Sequence, residues 1–409
     1  MTASSMTTQC CIAGGGPAGM MLGLLLARAG VSVVVLEKHA DFLRDFRGDT
    51  IHPSTLELMY ELGVLDEFLK LPHQEVRELR GQVGDVTIPI ADFTALPLHC
   101  RFLALMPQWD FLDFLARRAA AYPTFELRMQ SEVTGLIEQG DRVVGVEVDA
   151  RGTPLEVRAS LVIGADGRGS LVRARAGLRI RDLGAPMDVL WFRLSRRPDD
   201  PADTVGRFDP GRILVQINRG EHWQCAYVIA KGSVAQVRER GLEAFRAAIA
   251  RAMPYAADRM GELRSWDDVK LLTVRVDRLT KWSRAGLLCI GDAAHAMSPV
   301  GGVGINLAIK DAVAAANLLW RPLRDNRLTP ADLDRVQARR EFPTRLTQAM
   351  QVLIQNRIIT PVLGIERPLS TPLPLRLLGR WRWLRRIPAR LIGLGVRPEH
   401  IRSSVASAR

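Results

Sequence analysis

A glycine-rich turn near the start of the chain has the spacing of a phosphate-binding loop. Glycines occupy the first, third and sixth positions of a six-residue run that follows a predicted strand. Gly14 allows a tight turn, Gly16 lets a pyrophosphate approach the backbone, and Gly19 lets the next helix pack closely on the strand. Pro17 and Ala18 open that helix, whose first N–H groups present partial positive charge to a phosphate. The turn therefore predicts a dinucleotide site.

An acidic residue follows at the distance expected for the ribose of such a ligand. Residues 9–13 and 31–36 are predicted as short buried strands, with a helix at 18–29 between them. Glu37 closes the second strand eighteen residues after Gly19, and a carboxylate there can accept hydrogen bonds from ribose hydroxyls. These features predict a βαβ dinucleotide-binding unit, but they fit FAD and NAD equally.

A second motif, which begins at residue 291, favours FAD. The predicted buried strand 287–290 is followed by Gly-Asp-Ala-Ala-His. Its Asp292 is placed to hold the hydroxyls of a ribityl chain. The next loop is rich in glycine, so its backbone can lie beside a large ring and its N–H groups can stabilise a reduced flavin. The residues predicted to contact the cofactor here are Pro299, Gly302, Val303, Gly304, Ile305 and Asn306.

A third motif lies between these two and completes a family pattern. It covers residues 161–167, includes Asp166-Gly167, and continues with Ser170 and Arg173. Together the three motifs resemble those of the FAD-dependent aromatic hydroxylases, the single-component flavoprotein monooxygenases related to p-hydroxybenzoate hydroxylase. Their order and separations match that family over residues 9–315. The resemblance associates Asp166 with both FAD and the reduced nicotinamide.

The resemblance implies further cofactor contacts at Lys38, Arg47, Gln108 and Val133. Arg47 takes the place of an arginine near the flavin and ribityl chain, and Gln108 that of a residue touching the ribityl chain. Val133 corresponds to a residue whose backbone meets the adenine, and Lys38 to one over the adenine ribose. Without the family pattern, Arg47 is a solvated loop charge and Gln108 a helix cap. His295 is interpreted as part of the motif's architecture, so no catalytic residue is assigned.

The same resemblance implies an oxygenase reaction. Family members bind FAD, take electrons from transiently bound NADPH or NADH, and react with molecular oxygen. A flavin hydroperoxide then hydroxylates an aromatic, phenolic or quinone-like small molecule. The chain has no second glycine motif and no cysteine pair near the first helix, which argues against a disulfide reductase. Two alternatives stay open: a reductase or halogenase of the same fold without oxygen insertion, and a non-catalytic FAD-binding scaffold. We predict no metal site and no nucleic-acid site.

The order of predicted elements indicates an α/β fold. We expect a Rossmann-like FAD-binding domain with three layers and a parallel sheet, an inserted and mostly antiparallel β-sheet substrate layer, and a C-terminal helical region. The expected FAD-binding domain comprises residues 1–73, 103–180 and 283–330. The substrate layer comprises 74–102 and 181–282, and the helical region is 331–409.

Aromatic side chains in the predicted substrate layer are candidates for a pocket. Side chains that point toward a flavin would line it, whereas the others would fill the core of the sheet, and each residue fits either position. An aromatic substrate suits such a lining. The predicted strands are 187–196, 212–218, 223–230 and 268–277, and the candidate side chains are Trp191, Phe192, Gln216, Trp223 and Tyr227.

Positive charge is concentrated at the end of the chain. Of the formal net charge of +12, residues 361–409 contribute most, through ten arginines against two glutamates. The charge therefore does not indicate a nucleic-acid groove spread over the fold. One interpretation, which we favour, is a C-terminal helix packed on the FAD-binding domain with a solvated arginine face. The other is a basic amphipathic helix in peripheral contact with an anionic membrane.

Cysteine usage indicates the compartment. The five cysteines are odd in number and match no metal-ligand spacing, so reduced thiols are expected. No signal peptide is predicted from the first residues, and no stretch reaches about 18 apolar residues. We expect a cytoplasmic enzyme, peripheral to the membrane if the basic tail binds lipid, and either a monomer or a homodimer.

Overall fold

The first unit of the fold is the βαβ element that the glycine motif predicts. The computed structural model describes residues 4–43, 50–84, 86–364 and 373–405. The strand Ser4–Ala13 leads into the helix Pro17–Arg28 and then into the strand Val33–Leu36. Proline suits the first helical position because its φ is preset and its missing N–H needs no partner there. The helix is buried over residues 18–27, so it lies within the core.

A large mixed sheet forms the centre of the molecule. Its five parallel strands lie in the 3-2-1-4-5 order of dinucleotide-binding sheets. The prediction of an α/β fold with a parallel sheet is therefore confirmed. In spatial order the strands are Phe125–Arg128, Val33–Leu36, Ser4–Ala13, Thr153–Gly164 and Leu287–Cys289, and Ser131–Gln139, Arg142–Ala150 and Ser283–Arg284 extend the sheet in antiparallel fashion.

Three helices pack together on this sheet. Pro17–Arg28 contacts both Gln108–Ala119 and Gly304–Arg324, and apolar side chains of all three share one core with the strands. The segment Val300–Arg324, which contains the third helix, is long and apolar enough to cross a bilayer, but 72% of its apolar window is buried in the protein. Within the described residues no other helix meets that test, and the burial identifies this one as a core helix.

A second sheet of seven strands is antiparallel apart from one parallel pair, Glu78–Val83 with Val205–Asp209. The mostly antiparallel layer is therefore confirmed. Two separate stretches of the chain build it, because the first hairpin comes from residues 78–92. In spatial order the strands are Lys270–Leu272, Met187–Ser195, His222–Ala230, Arg212–Asn218, Val205–Asp209, Glu78–Val83 and Val86–Asp92.

The strand predicted at 268–277 is wrong in its extent. Only Lys270–Leu272 pairs in the seven-stranded sheet. The backbone N–H of Val274 donates to the Asp188 carboxylate at 3.0 Å instead of to a neighbouring strand, which ends the ladder. Asp277–Leu279 then enters a different sheet of three short strands.

The described chain is mostly helical from residue 304 onward, as predicted. The domain boundaries given above remain predictions. The two small sheets are Ile180–Asp182 with Asp277–Leu279 and His295–Ala296, and Thr50–Ile51 with Leu103–Leu105 and Gln74–Val76. The remaining helices are Pro53–Glu61, Leu65–Phe68, Leu171–Arg175, Val234–Glu239, Leu242–Ala252, Pro330–Ile354, Thr360–Gly364, Leu373–Arg380 and Arg386–Gly393, with a π-helical turn at Gln355–Ile359 and 3-10 turns at Phe93–Ala95, Pro254–Glu262, Trp266–Asp268, Gly291–Ala293, Val300–Gly302 and Arg382–Arg385.

Candidate functional site

The glycine turn closes tightly against the neighbouring parallel strand. Gly14 has φ +106°, and a Cβ there would overlap the carbonyl oxygen of Ala165. A Cβ on Gly19 would overlap the carbonyl oxygen of Gly14, so both positions require glycine for the fold itself. A Cβ on Gly16, by contrast, would meet no protein atom within 4 Å. Gly16 therefore presents bare backbone outward at the start of a helix that has no side-chain cap.

Glu37 lies at the centre of a hydrogen-bonded corner beside the turn. One carboxylate oxygen accepts the N–H of Gly15 at 3.0 Å and the other accepts the N–H of His39 at 3.0 Å. The Glu37 carbonyl accepts the N–H of Ser131 at 2.9 Å, which brings the start of the strand containing Val133 to the same corner. Val133 is half-buried there, whereas the Lys38 side chain is exposed.

The three sequence motifs meet at the carboxyl ends of three adjacent parallel strands. The glycine turn contacts the motif at residues 161–167 through Gly14 and Ala165. It contacts the motif that begins at residue 291 through Gly291, because a Cβ there would lie 3.1 Å from the Cβ atoms of Ala18 and Ala308. Ligands of open α/β sheets bind at this edge. The structure thus brings together residues that are more than 270 positions apart.

The two motif aspartates have different local roles. Asp166 accepts the Ser170 hydroxyl at 2.5 Å and the N–H of Val172 at 3.1 Å, so it caps the short helix that follows. Asp292 is partly exposed and accepts a hydrogen bond from Arg168 Nε at 3.0 Å. Both aspartates are partly exposed at the ends of their strands.

The loop after Pro299 turns sharply and is held by hydrogen bonds of the Asn306 side chain. Gly301 and Gly302 have φ of +79° and +61°, a region that favours glycine. The Asn306 side chain makes four hydrogen bonds to protein groups: it accepts from the His52 N–H and the Thr55 hydroxyl and donates to the Thr50 and Gly302 carbonyls. A contact of Asn306 with a cofactor would therefore have to come from its backbone. Val303, Gly304 and Ile305 lead into the long core helix.

Three glutamines on one helix hold the strand and loop that precede this turn. Gln348 donates to the carbonyls of Asp277 and Ala296 at 2.7 and 3.0 Å. Gln351 accepts the Ser298 N–H and donates to the carbonyls of Ser298 and Val300. Gln355 donates to the Ser298 hydroxyl at 2.8 Å. The spacing of three and four residues places the glutamines on one helix face. We call them the glutamine ladder.

Gln355 stands where the glutamine ladder reaches the loop. It is fully buried and opens a π-helical turn, a feature frequent at functional sites. Its amide oxygen finds no hydrogen-bond partner in the described protein. If the amide is turned over, its nitrogen is left without a partner instead. One polar atom of Gln355 is therefore available beside Ser298.

His295 is a structural residue. It is buried, and its Nε2 lies 2.5 Å from a carboxylate oxygen of Asp311. Burial raises the pKa of Asp311, but His295 and Arg340 outweigh it, so this pKa lies below its usual value. Arg340 Nε donates to the other Asp311 oxygen at 2.9 Å, and its Nη1 to Glu399 at 3.2 Å. Buried charged side chains thus connect Glu399, near the C-terminus, with His295 of the second motif. No local sequence pattern predicts this connection.

The antiparallel sheet turns only one of its faces toward the loop. Trp191 lies in an apolar cluster with Val300 of the loop. Of the five candidate pocket residues, only Trp191 is on this side. Side chains alternate between the two faces of a strand, and both faces are apolar in this sheet. The other four candidates take the alternative position in the core on the far side of the sheet. Phe192 and Tyr227 pack against Phe245 of the helix Leu242–Ala252. Trp223 packs against Tyr255, whose hydroxyl Gln216 accepts.

Two further predicted contacts have different outcomes. Gln108 is the first residue of the helix Gln108–Ala119, after Pro107, and is half-buried. Arg47 lies outside the described residues. The glutamine ladder, Asp311 and Arg340 were absent from the predicted site because long-range packing, and not a local motif, brings them to it.

Comparison with known proteins agrees with this geometry. A family model described as an FAD binding domain matches residues 7–349. The chain is 35% identical to 6-methylpretetramide 4-monooxygenase of Streptomyces rimosus over 86% of this chain and 84% of that protein. It is 28% identical to dialkyldecalin synthase of Streptomyces rugosporus over 77% of this chain and 65% of that protein.

A solved structure gives the same picture in three dimensions. The anhydrotetracycline hydroxylase OxyS from Streptomyces rimosus superposes with a TM-score of 0.73 and 26% identity, covering 96% of this chain and 77% of that one. The chain therefore belongs to the FAD-binding domain family and is, like the monooxygenases within it, an FAD-dependent oxidoreductase.

Proposed function

We propose that this enzyme uses NADH or NADPH and molecular oxygen to hydroxylate an aromatic, phenolic or quinone-like small molecule. The observation that carries the proposal is the position of the loop at Pro299. The loop joins the second motif, at residues 291–295, to the helix Gly304–Arg324, and Val300 of the loop lies in an apolar cluster with Trp191 of the antiparallel sheet. A flat substrate between loop and sheet would lie against the cofactor. Relatives named for 6-methylpretetramide and anhydrotetracycline support a compound of that kind.

The residues present fit FAD. Bare backbone at Gly16 and the uncapped helix start can take the pyrophosphate, and the corner at Glu37, Lys38 and Val133 lies where an adenosine would follow. Asp292 is partly exposed and would hold the ribityl hydroxyls. The loop would carry the flavin ring, which supplies electron transfer from the nicotinamide and the activation of oxygen when it is bound. The other proposed contacts are Gly14, Pro17, Ala18, Gly19, Arg47, Gln108, Asp166, Pro299, Gly302, Val303, Gly304, Ile305 and Asn306.

The chain's own groups position the reactants and exclude water. Backbone N–H groups at the loop and the start of the core helix can stabilise negative charge on the ring. The apolar face around Val189, Trp191 and Val228 removes water from the substrate side, which suits a reaction that water would divert. Nicotinamide would bind transiently and leave.

Oxygen incorporation tests this proposal. The purified protein would be examined for flavin absorbance, then supplied with NADH or NADPH, ¹⁸O₂ and a panel of phenols, quinols and polycyclic aromatic compounds. We expect one labelled oxygen atom in the product and nicotinamide oxidation that the substrate accelerates. Flavin reduction without label in any product would contradict the proposal and leave a reductase or halogenase of this fold.

A second candidate function has its own support. One relative is named as a synthase, so an FAD-binding scaffold that rearranges a substrate without oxygen insertion is the alternative. Under that alternative, product would form without nicotinamide or oxygen and would keep the mass of the substrate. We further propose that the enzyme is cytoplasmic, since all five cysteines are buried free thiols. We also propose that it is a monomer or a homodimer.

A further inference from the structure

An apolar ridge runs along the helical stretch near the chain end. The stretch consists of the 3-10 turn Arg382–Arg385 and the helix Arg386–Gly393. Trp383, Ile387 and Leu391 recur every fourth residue, which places them along one line of a helix. They are 60, 53 and 37% exposed, although residues of these types are usually buried.

A ridge of arginines runs beside the apolar ridge. Arg382, Arg386 and Arg390 each precede an apolar-ridge residue by one position and are all exposed. The segment 373–393 contains six arginines and no acidic residue. Its positive charge is therefore not neutralised within the segment.

The opposite side of the same stretch is fastened to the protein. Ala389 lies about 200° around the helix from Ile387 and is fully buried in a cluster with Phe93 and Leu96. A Cβ on Gly393 would press on Leu96 and Phe93. The helix thus packs by its small residues against the first hairpin of the antiparallel sheet. The apolar ridge, on the side opposite Ala389, consequently projects outward as a convex surface, and the arginine ridge flanks it between the two sides with its side chains exposed.

We propose that the two ridges dock the enzyme on an anionic lipid bilayer. Large apolar side chains beside cations are the combination that inserts into the boundary between headgroups and acyl chains, and tryptophan is enriched at that depth. A convex ridge needs a surface that yields around it, as lipid does. Docking at this place would set the antiparallel layer next to the membrane. The inference does not depend on the proposed reaction.

Sedimentation of the FAD-loaded, full-length protein with vesicles tests the proposal. Vesicles of phosphatidylglycerol and phosphatidylcholine in equal parts would be compared with phosphatidylcholine alone. We expect binding to the anionic vesicles that weakens as salt is raised toward about 1 M, where charges are screened within about 3 Å. Replacing Arg382, Arg386 and Arg390 with glutamine should lower the partition constant on the order of a hundredfold, because each arginine near such a surface contributes about a factor of five.

Matched variants distinguish binding by the two ridges from nonspecific effects of positive charge and of exposed apolar side chains elsewhere on the protein. Arg321, Arg324 and Arg327, exposed at another helix end, are changed to glutamine as the charge control and should leave binding unchanged. Trp383→Ser with Ile387→Ser should also abolish binding, whereas Phe342→Ser with Leu353→Ser, which are similarly exposed, should not.

Three outcomes would overturn the proposal: no sedimentation with anionic vesicles, equal loss in both arginine variants, or binding of an acidic protein or nucleic acid without vesicle binding. Since no turnover is measured, failure here leaves the monooxygenase proposal intact.

Discussion

The carboxylate of Asp311 accepts a hydrogen bond from His295 Nε2 across 2.5 Å in the interior of the protein. His295, the last residue of the second motif, is therefore engaged by a buried carboxylate and is not exposed to a substrate. Arg340 donates to the other oxygen of the same carboxylate. Asp311, on the helix Gly304–Arg324, thus holds both the second motif and the helix Pro330–Ile354, which carries Arg340.

Asp311→Asn should destabilise the fold by about 3–5 kcal/mol, because it removes one of the two carboxylates that pair with the buried Arg340 and leaves only Glu399. Equilibrium unfolding in urea measures this loss, with Asp325→Asn at an exposed helix end as the control, for which about 1 kcal/mol or less is expected. Because the pKa of Asp311 is held below its usual value, its contribution should be present above about pH 4 and disappear as the pH falls further. Equal midpoints for variant and wild type would contradict this assignment.

Gly16→Ala should separate cofactor binding from folding. A Cβ there meets no protein atom, so the stability of the apoprotein should change by less than about 1 kcal/mol. FAD affinity should fall by about tenfold or more, since the methyl group occupies the approach to the backbone. Flavin fluorescence titration measures the affinity. Gly14→Ala, the matched variant, should instead lose stability by several kcal/mol, and identical behaviour of the two variants would refute the distinction.

Gln355→Leu should disturb the loop while leaving the fold intact. The change removes the hydrogen bond to Ser298 and costs about 1–3 kcal/mol. We expect an altered visible circular dichroism of bound FAD, because the ring rests on that loop in our proposal. Gln337→Leu, on the same helix but bonded to Trp282 and Thr280, should cost similar stability without the spectral change. A normal flavin signal in Gln355→Leu would show that the ladder does not reach the ring.

Lys310 should give the protein a stability that rises with pH. Burial, and then the neighbouring Arg340, lower the pKa of Lys310 to about 7, while in the unfolded chain it is about 10.4. Between these values only the unfolded state holds the proton, so unfolding free energy should increase by up to about 1.4 kcal/mol per pH unit from this group. Denaturation curves from pH 6 to 10 should show a shallower slope for Lys310→Met than for wild type. The exposed Lys281→Met should keep the wild-type slope, and parallel curves for wild type and Lys310→Met would rule the effect out.

The cofactor edge of the fold could be predicted from sequence because its requirements are local. Gly14 and Gly19 must lack a Cβ for reasons set by atoms within the turn and its neighbouring strand, so their spacing alone indicates the turn. Glu37 ends a strand whose length is fixed by the same unit. The contacts that constrain these residues are with backbone atoms of the turn and of the adjacent strands, so a short sequence pattern is enough to predict them.

The substrate side could not be predicted in the same way. Both faces of the strand Met187–Ser195 are apolar, so alternation does not show which face meets the loop, and the positions of Trp191 and Phe192 stayed open until the structure separated them. Gln348, Gln351 and Gln355 look like polar residues of an ordinary solvated helix. Their partners are backbone carbonyl and N–H groups and the Ser298 hydroxyl, in segments of the chain far from the helix in sequence. Such pairings leave no trace in local composition.

The strand order of the parallel sheet also bears on how the protein is made. Ser4–Ala13 emerges from the ribosome before the other strands of this sheet. One of its two neighbours, Thr153–Gly164, follows about 150 residues later, or roughly 8–30 s at ordinary rates of synthesis. During that time a strand with four consecutive buried residues, Cys10 to Ala13, has an open hydrogen-bonding edge, which is a template for misassembly. Expression of this enzyme should therefore respond to chaperones and to slower growth temperatures more than its finished, well-packed core would suggest.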